Sequence, residues 1–145
     1  MYSLTELTQE IEREECGNLV DTSLFRIVRF LPHKYMGHGA DAVAYMAGKD
    51  LGKYLNLSSV EDVLDFCKNN GIGIGEVVSE SPLQIRVDEC ITCSGLPEVG
   101  YPLCYFEGGF LSGCLENILN KSVDLKEIKC AGLGDDFCMF EMIQR

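Results

Sequence analysis

The chain has 145 residues and a net charge of −11 at pH 7, from 23 acidic and 12 basic side chains. An acidic surface repels phosphate backbones and no basic stripe offsets it, so we expect no direct binding of nucleic acid. Hydrophobic residues make up 46% of the chain but form no run of the about 20 residues that span a bilayer, so we expect no membrane span.

The length fits a single domain covering residues 1–145. The N-terminus has no basic region followed by an apolar core, so we expect no signal peptide and a cytoplasmic protein. In that compartment cysteines remain reduced thiols, which favours metal binding over disulfides.

The first 24 residues predict a helical extension, because Leu4, Leu7 and Ile11 recur at helical spacing. Apolar and basic side chains then alternate over residues 25–30, which predicts a strand that Pro32 ends. Residues 39–55 predict a helix. Its expected buried face is Val43, Met46, Ala47, Leu51, Tyr54 and Leu55.

A further helix is predicted to begin at Ser59, where acidic residues can complete a capping box, and to end at Gly71. Residues 72–80 and 83–91 flank Ser81 and Pro82 and predict two antiparallel strands. A long helix is predicted after Pro102. Three glycines inside that helix would allow close approach of another element or a ligand: Gly108, Gly109 and Gly113.

Residues 123–131 and 137–143 predict the last two strands, joined by a glycine-containing turn. The order of elements therefore predicts an α+β domain: an antiparallel sheet of about four to five strands with helices packed on it.

Six of the eight cysteines lie late in the chain, at positions 90, 93, 104, 114, 130 and 138, which suggests a site. Cys130 and Cys138 flank a turn, and Cys104 is predicted in the first turn of the long helix. Three such thiolates nearly complete a structural zinc site, which needs a fourth ligand. The pair Cys90 and Cys93 has ligand or redox spacing. Cys16, Cys67 and Cys114 are expected to be inert.

Three segments, residues 89–96, 100–113 and 127–141, resemble the 4-vinyl reductase domain. The spacing of Cys104, Cys130 and Cys138, with Gly132 and Gly134 between the last two, is the specific part of that resemblance. The similarity extends over roughly residues 25–143. It implies a small-molecule-binding fold related to sensor domains of aromatic-responsive activators, and a homodimer.

The resemblance also implies zinc held by Cys104, Glu127, Cys130 and Cys138. In an ideal strand Glu127 and Cys130 would point to opposite faces, so a bulge near Lys129 is required. Without that bulge, Cys90 or Cys93 is the better fourth ligand. Four protein ligands close the metal shell, so the metal would be structural and would stabilise the C-terminal hairpin.

The leading functional hypothesis is a binding domain, sensor or carrier-like, for a small apolar ligand that is aromatic or tetrapyrrole-like. Its cavity would lie between the N-terminal helices and the long helix. A reductase, or an accessory subunit acting on a tetrapyrrole vinyl group, is the second hypothesis, and a scaffold or assembly factor is the third. The candidate cavity residues are His38, Tyr45, Leu83, Phe106, Phe110 and Leu125.

Overall fold

The structure is a computed structural model that describes residues 1–10 and 12–143. The N-terminal part of the chain is helical. Its helices are α1 (Leu4–Leu7), α2 (Thr22–Phe30), α3 (His33–Met36), α4 (Gly39–Leu55) and α5 (Val60–Asn69). Ile11, which the sequence placed in the first helix, lies outside the described residues, and α1 itself is a single turn capped by Ser3.

The second half of the chain supplies the sheet and one long helix. Strands β1 (Ile74–Glu80) and β2 (Leu83–Asp88) precede α6 (Tyr105–Leu119), and β3 (Leu125–Lys129) and β4 (Cys138–Met142) follow it. The four strands are antiparallel in the order β1-β2-β4-β3. A short 3₁₀ turn, Ala131–Leu133, lies between the last two strands. The predicted α+β fold with a four-stranded antiparallel sheet is confirmed.

The predicted strand at residues 25–30 is wrong, because this segment is helix α2. Asp21 caps the helix by accepting a hydrogen bond from the amide of Ser23. Arg26 and Arg29 are three residues apart and share the half-buried face, whereas Ile27 and Val28 are exposed. Six alternating residues fit either period, and the cap together with the buried arginine face decides for the helix.

Helix α4 has the predicted bounds, but most of its predicted buried face points outward. Val43 and Met46 are each 57% exposed. Gly48 and Gly52 are buried instead, because they contact α6. A Cβ on Gly48 would overlap the carbonyl oxygen of Phe106 in α6, and a Cβ on Gly52 would overlap the backbone of the same helix one turn later. The two helix backbones therefore pack directly against each other.

The hydrophobic core lies between α6 and the inner face of the sheet. Its largest fully buried side chains include Phe110 and Leu111 from α6, Ile85 from β2 and Phe140 from β4. The core continues towards the start of α6, where five cysteines are part of the same buried cluster. Among the described residues, no helix is long and apolar enough to cross a bilayer.

Candidate functional site

Five cysteine side chains converge at the start of α6. The Sγ atom of Cys104 lies 3.5 Å from that of Cys90, 3.6 Å from that of Cys138 and 3.8 Å from that of Cys130. Cys93 reaches the group through Cys138, at an Sγ–Sγ distance of 3.2 Å. All five are at most 2% exposed and none forms a disulfide. We call this group the thiol cluster.

Four separate parts of the chain supply the thiol cluster. Cys104 is the residue at which α6 begins, and Cys138 is the first residue of β4. Cys130 follows β3 and begins the 3₁₀ turn. Glu89 has a φ of 52° directly after β2, and this left-handed residue turns the chain into the loop that carries Cys90 and Cys93. Elements distant in sequence therefore meet at one point.

A bulge in β3 brings Glu127 to the thiol cluster. Glu127 pairs with Phe140 and Lys129 pairs with Met139, so the register shifts by one residue between them. This shift is the irregularity that the sequence required for Glu127 and Cys130 to reach one ion. The predicted bulge is confirmed.

The carboxylate of Glu127 is held by the backbone at the start of α6. Its Oε2 atom accepts hydrogen bonds from the amides of Leu103, at 3.1 Å, and Cys104, at 2.9 Å. Its Oε1 atom is buried and has no hydrogen-bond partner among the described residues. A buried oxygen without a partner is costly, and a bound cation would satisfy it.

Two overlapping groups of four side chains could each hold a metal ion. In each group the ligand atoms lie within 4.8 Å of one another. The first group, which we call the Glu127 set, is Cys104, Glu127, Cys130 and Cys138. The second, which we call the Cys90 set, is Cys90, Cys93, Cys104 and Cys138. Thiolates with a carboxylate, or four thiolates, are donor sets that suit zinc.

The surroundings of these thiols favour the thiolate form that a metal needs. Hydrogen bonding from Cys104 lowers the pKa of the Cys130 thiol to about 6 and that of Cys93 to about 4. Burial, followed by the nearby Cys130, raises the pKa of Glu127 to about 8. By contrast, burial raises the pKa of both Cys67 and Cys114 to about 12, which matches the expectation that these two are inert.

A cavity of about 720 Å³ borders the thiol cluster. Cys104 and Glu127 lie in its wall, so the candidate metal centre and the cavity share two residues. The wall is mostly apolar, with Leu125 and Phe140 contributed by the sheet. The hydroxyl of Tyr45 lies there too, 2.9 Å from Ser112 Oγ. A largely apolar wall with a few fixed polar groups is typical of small-molecule sites.

Three of the six cavity residues predicted from sequence lie in this wall: His38, Tyr45 and Leu125. Phe110 lies instead in the core, 1% exposed and stacked on Phe66. Leu83 packs against the core from the edge of β2, and the carbonyl of Phe106 faces the α4 contact. Apolar character alone did not distinguish the core from the cavity. The sequence reasoning missed several lining residues: Asp41, Ala42, Met46, Pro102, Tyr105, Gly108 and Phe140.

The buried carboxylate of Asp41 at the cavity edge was also missed. It lies 2.7 Å from His33 Nε2, 3.1 Å from His38 Nδ1 and 3.6 Å from an Arg29 nitrogen. The available signal was the spacing of Arg29 and His33, four residues apart, which becomes visible only if residues 22–36 are treated as helical. These contacts fix the N-terminal helices against α4.

The family model of the 4-vinyl reductase domain matches residues 83–144. The chain is 48% identical over 130 residues to the uncharacterized protein MJ1642 of Methanocaldococcus jannaschii, covering 89% of this chain and 81% of that protein. It is 37% identical over 132 residues to the uncharacterized protein MJ0150 of the same organism, covering 86% of this chain and 76% of that protein.

Two solved structures have similar folds. A vinyl-4-reductase family protein from M. jannaschii has a TM-score of 0.71 and 21% identity, with 89% of this chain and 84% of that chain covered. The phenol-responsive sensory domain of the transcription activator PoxR, solved with phenol, has a TM-score of 0.67 and 13% identity, with 87% and 75% covered. The relatives and the matching family model together show that this chain belongs to the 4-vinyl reductase domain family.

Proposed function

We propose that the chain is a zinc-stabilised, non-catalytic domain that binds a small, largely apolar ligand, as a sensor or carrier. The observation that carries this proposal is the shared wall: Cys104 and Glu127 belong both to the candidate metal centre and to the cavity. An ion at that position would fix one side of the cavity without entering it. The sensory domain of PoxR, which has the same fold, is a phenol-responsive domain.

In this proposal zinc is held by the Glu127 set. Three thiolates and the free Oε1 oxygen of Glu127 supply four donors, which close a tetrahedral shell and leave no position for a substrate. The ion therefore has a structural role. It would join the start of α6, the end of β3 and the start of β4, which is the zinc-stabilised C-terminal hairpin expected from the sequence. Reduced thiols also support a cytoplasmic location.

The ligand is proposed to be aromatic or tetrapyrrole-like. Leu125 and Phe140 offer apolar contact, while Tyr45 and His38 offer hydrogen-bonding groups at the cavity wall. An aromatic compound with one polar substituent matches that combination. Phenol is therefore the first probe, and a water-soluble porphyrin is the second.

A thermal-shift measurement with the zinc-loaded protein tests this proposal. A ligand at 100 times its Kd stabilises the folded state by about 2.7 kcal/mol, so we expect Tm to rise by about 5 °C or more. Ala42→Phe should fill the cavity and abolish the rise, because Ala42 lies in the wall. Ala47→Phe is the matched control, because Ala47 is also an exposed alanine of α4 but lies outside the wall.

The opposing outcomes are equally defined. If neither probe shifts Tm at saturating concentration, or if Ala42→Phe responds like the unsubstituted chain, the cavity assignment is wrong. Reductant-dependent conversion of a vinyl group on the porphyrin would overturn the non-catalytic role in favour of a reductase. Isothermal calorimetry on the same samples gives the stoichiometry independently.

We also propose that the domain forms a homodimer through the outer face of α2. Ile27 and Val28 are 57% and 68% exposed on that face, while Arg26 and Arg29 turn towards the protein interior. An apolar face without outward charge can meet a second copy despite the net charge of −11. Light scattering should give a dimer for the unsubstituted chain and a monomer for Val28→Glu. Leu19→Glu, at an exposed position before α2, is the control.

A further inference from the structure

The Glu127 set and the Cys90 set overlap in a specific way. They share Cys104 and Cys138, and together they contain six ligands: five thiols and one carboxylate. If each set held its own ion, each ion would have four ligands and the two shared sulfurs would bridge them. Thiolate sulfur has enough lone pairs to bind two cations at once.

We propose that the thiol cluster holds two zinc ions, bridged by the thiolates of Cys104 and Cys138. Cys90 and Cys93 complete the shell of one ion, and Glu127 and Cys130 complete that of the other. This inference deepens the proposed function and rests on its metal site. It assigns Cys90 and Cys93 as ligands alongside Glu127 rather than as alternatives to it.

The sulfur separations support shared ligands. Two sulfurs bound to one tetrahedral zinc, each at about 2.3 Å, lie about 3.8 Å apart. The two bridging candidates, Cys104 and Cys138, have Sγ atoms 3.6 Å apart. Cys90 lies 3.5 Å from Cys104, and Cys130 lies 3.8 Å from Cys104 on the other side. Cys104 is thus at bonding separation from a non-shared member of each set.

Burial and charge point the same way. Every sulfur of the thiol cluster is at most 2% exposed, so each ionised thiol that lacks a cation is costly. Five thiolates and one carboxylate carry six negative charges, of which one dication offsets two and a pair of dications offsets four. A second ion therefore offsets the charge that Cys90 and Cys93 bring into the interior when both are ionised.

The two halves of the cluster are also approached from different sides. The large cavity reaches Cys104 and Glu127. A separate cavity of about 140 Å³ reaches Cys90, Cys93 and Cys138. Its wall includes the carboxylates of Glu89, Asp135 and Asp136, a negatively charged approach that raises the local concentration of cations. The Cys90 set therefore has its own entry path for a metal ion.

Metal content is the first test, measured by elemental analysis and native mass spectrometry on protein purified with zinc. We expect two zinc ions per chain. Cys90→Ser combined with Cys93→Ser should lower this to one, and Glu127→Gln combined with Cys130→Ser should also lower it to one. Cys67→Ser combined with Cys114→Ser is the control, because both thiols are buried outside the two sets, and it should retain two.

Cadmium-113 NMR of the unsubstituted chain is the second test, and it does not depend on whether a variant folds. The proposal predicts two resonances of equal intensity, one for an ion with four sulfurs and one for an ion with three sulfurs and one oxygen. Coupling of both resonances to the β-protons of Cys104 and Cys138 would identify the bridges.

The outcomes separate this inference from the proposed function. One zinc per chain and one cadmium resonance, unchanged in the Cys90→Ser and Cys93→Ser variant, would overturn the second ion and leave the single structural zinc. No bound zinc would overturn both metal assignments. Iron with acid-labile sulfide, or fewer than eight free thiols after denaturation, would also overturn the zinc pair. Ligand-dependent stabilisation by phenol is scored separately.

Discussion

The two ends of α6 are held in place by different means. Along its middle, Gly109 and Gly113 contact the backbone of α4, and Gly48 and Gly52 of α4 make the reciprocal contact. At its start, Cys104 meets three loops and strand ends through sulfur atoms and the carboxylate of Glu127. Regular backbone surfaces fit each other directly, whereas the irregular segments are joined by side chains that favour metal binding.

This difference explains where an ion is useful. The α4–α6 contact buries helix backbone whose hydrogen bonds are already satisfied within each helix. The thiol cluster buries ionisable groups, and Glu127 Oε1 lacks a partner among the described residues. The helix contact is therefore complete as the chain folds, while the other end needs cations to offset its buried charge.

The largest effect should come from Cys104→Ser, compared with Cys114→Ser in the same helix. Both thiols are fully buried, but Cys104 belongs to both ligand sets, whereas Cys114 contacts the carbonyl of Gly52 at 3.7 Å. We expect Cys104→Ser to abolish zinc binding and lower the free energy of unfolding by more than about 4 kcal/mol, the range reached by loss of a metal site.

Cys114→Ser should retain zinc and cost about 1–3 kcal/mol, the usual result of burying a hydroxyl group. Urea unfolding followed by circular dichroism, together with zinc analysis, measures both variants. Equal losses of stability with equal zinc content would show that the thiol cluster is ordinary core packing.

The next effect should come from Gly109→Ala, compared with its neighbour Gly108→Ala. A Cβ on Gly109 would overlap the carbonyl oxygen of Tyr45, so α4 and α6 must separate. A Cβ on Gly108 would lie 3.4 Å from the ring of Phe140, which is ordinary contact. Overpacking of this kind costs about 1–3 kcal/mol, and we place Gly109→Ala at the upper end.

Gly108→Ala should be neutral or stabilising, because alanine is favoured over glycine in a helix by about 1 kcal/mol. Thermal unfolding of the two variants checks this pair. Equal Tm values would contradict the direct backbone contact. Zinc content should be unchanged in both, which separates this contact from the metal centre.

The same two regions show how far the sequence could predict the structure. Cysteine is a chemically distinctive residue, so the spacing of Cys104, Cys130 and Cys138 indicated a site, and strand geometry alone required the bulge between Glu127 and Lys129. Whether Glu127 or Cys90 is the fourth ligand stayed open, because the sequence could not show that all of them meet at one point.

The packing of α4 was less accessible. Hydropathy assigned Val43 and Met46 to the interior, but the structure buries Gly48 and Gly52, whose small size matters only when a second helix approaches. Glycines four residues apart in two helices are a signal that could have been used. Helix α2 was mistaken for a strand because its inward face carries arginines, a pattern that short hydrophobic periods do not detect.

A smaller and pH-dependent effect is expected on the α4–α6 side. Burial alone would raise the pKa of Glu116, but hydrogen bonds from Lys49 and Lys53 lower it to about 2, from an ordinary value of 4.5. Its stabilising contribution is present above pH 4.5 and is lost as the pH falls towards 2. That contribution is at most about 3 kcal/mol.

We therefore expect the unsubstituted chain to lose its advantage over Glu116→Gln between pH 5 and pH 2. The difference between the two chains is the relevant quantity, because acid also removes metal from both. Urea unfolding at each pH gives it, with Glu80→Gln at the exposed end of β1 as control. A constant difference across this range would contradict the role of the ion pairs.

The smallest expected effect tests how α2 supports the metal side. Arg26 donates hydrogen bonds to the carbonyls of Ile91, at 2.8 Å, and Ser94, at 2.7 Å, which flank Cys93. Arg26→Ala should lower the free energy of unfolding by about 1–2 kcal/mol, the loss of two charge-assisted hydrogen bonds at a partly exposed site.

The more specific result of Arg26→Ala concerns metal exchange. The loop carrying Cys90 and Cys93 would open more often, so zinc transfer to a chromogenic chelator should become several-fold faster. Lys34→Ala, at an exposed position of α3, should change neither quantity. Because Arg26 belongs to neither ligand set, faster exchange without loss of bound zinc would show that α2 positions the thiol cluster, whereas an unchanged rate would show that β2 and α6 are sufficient.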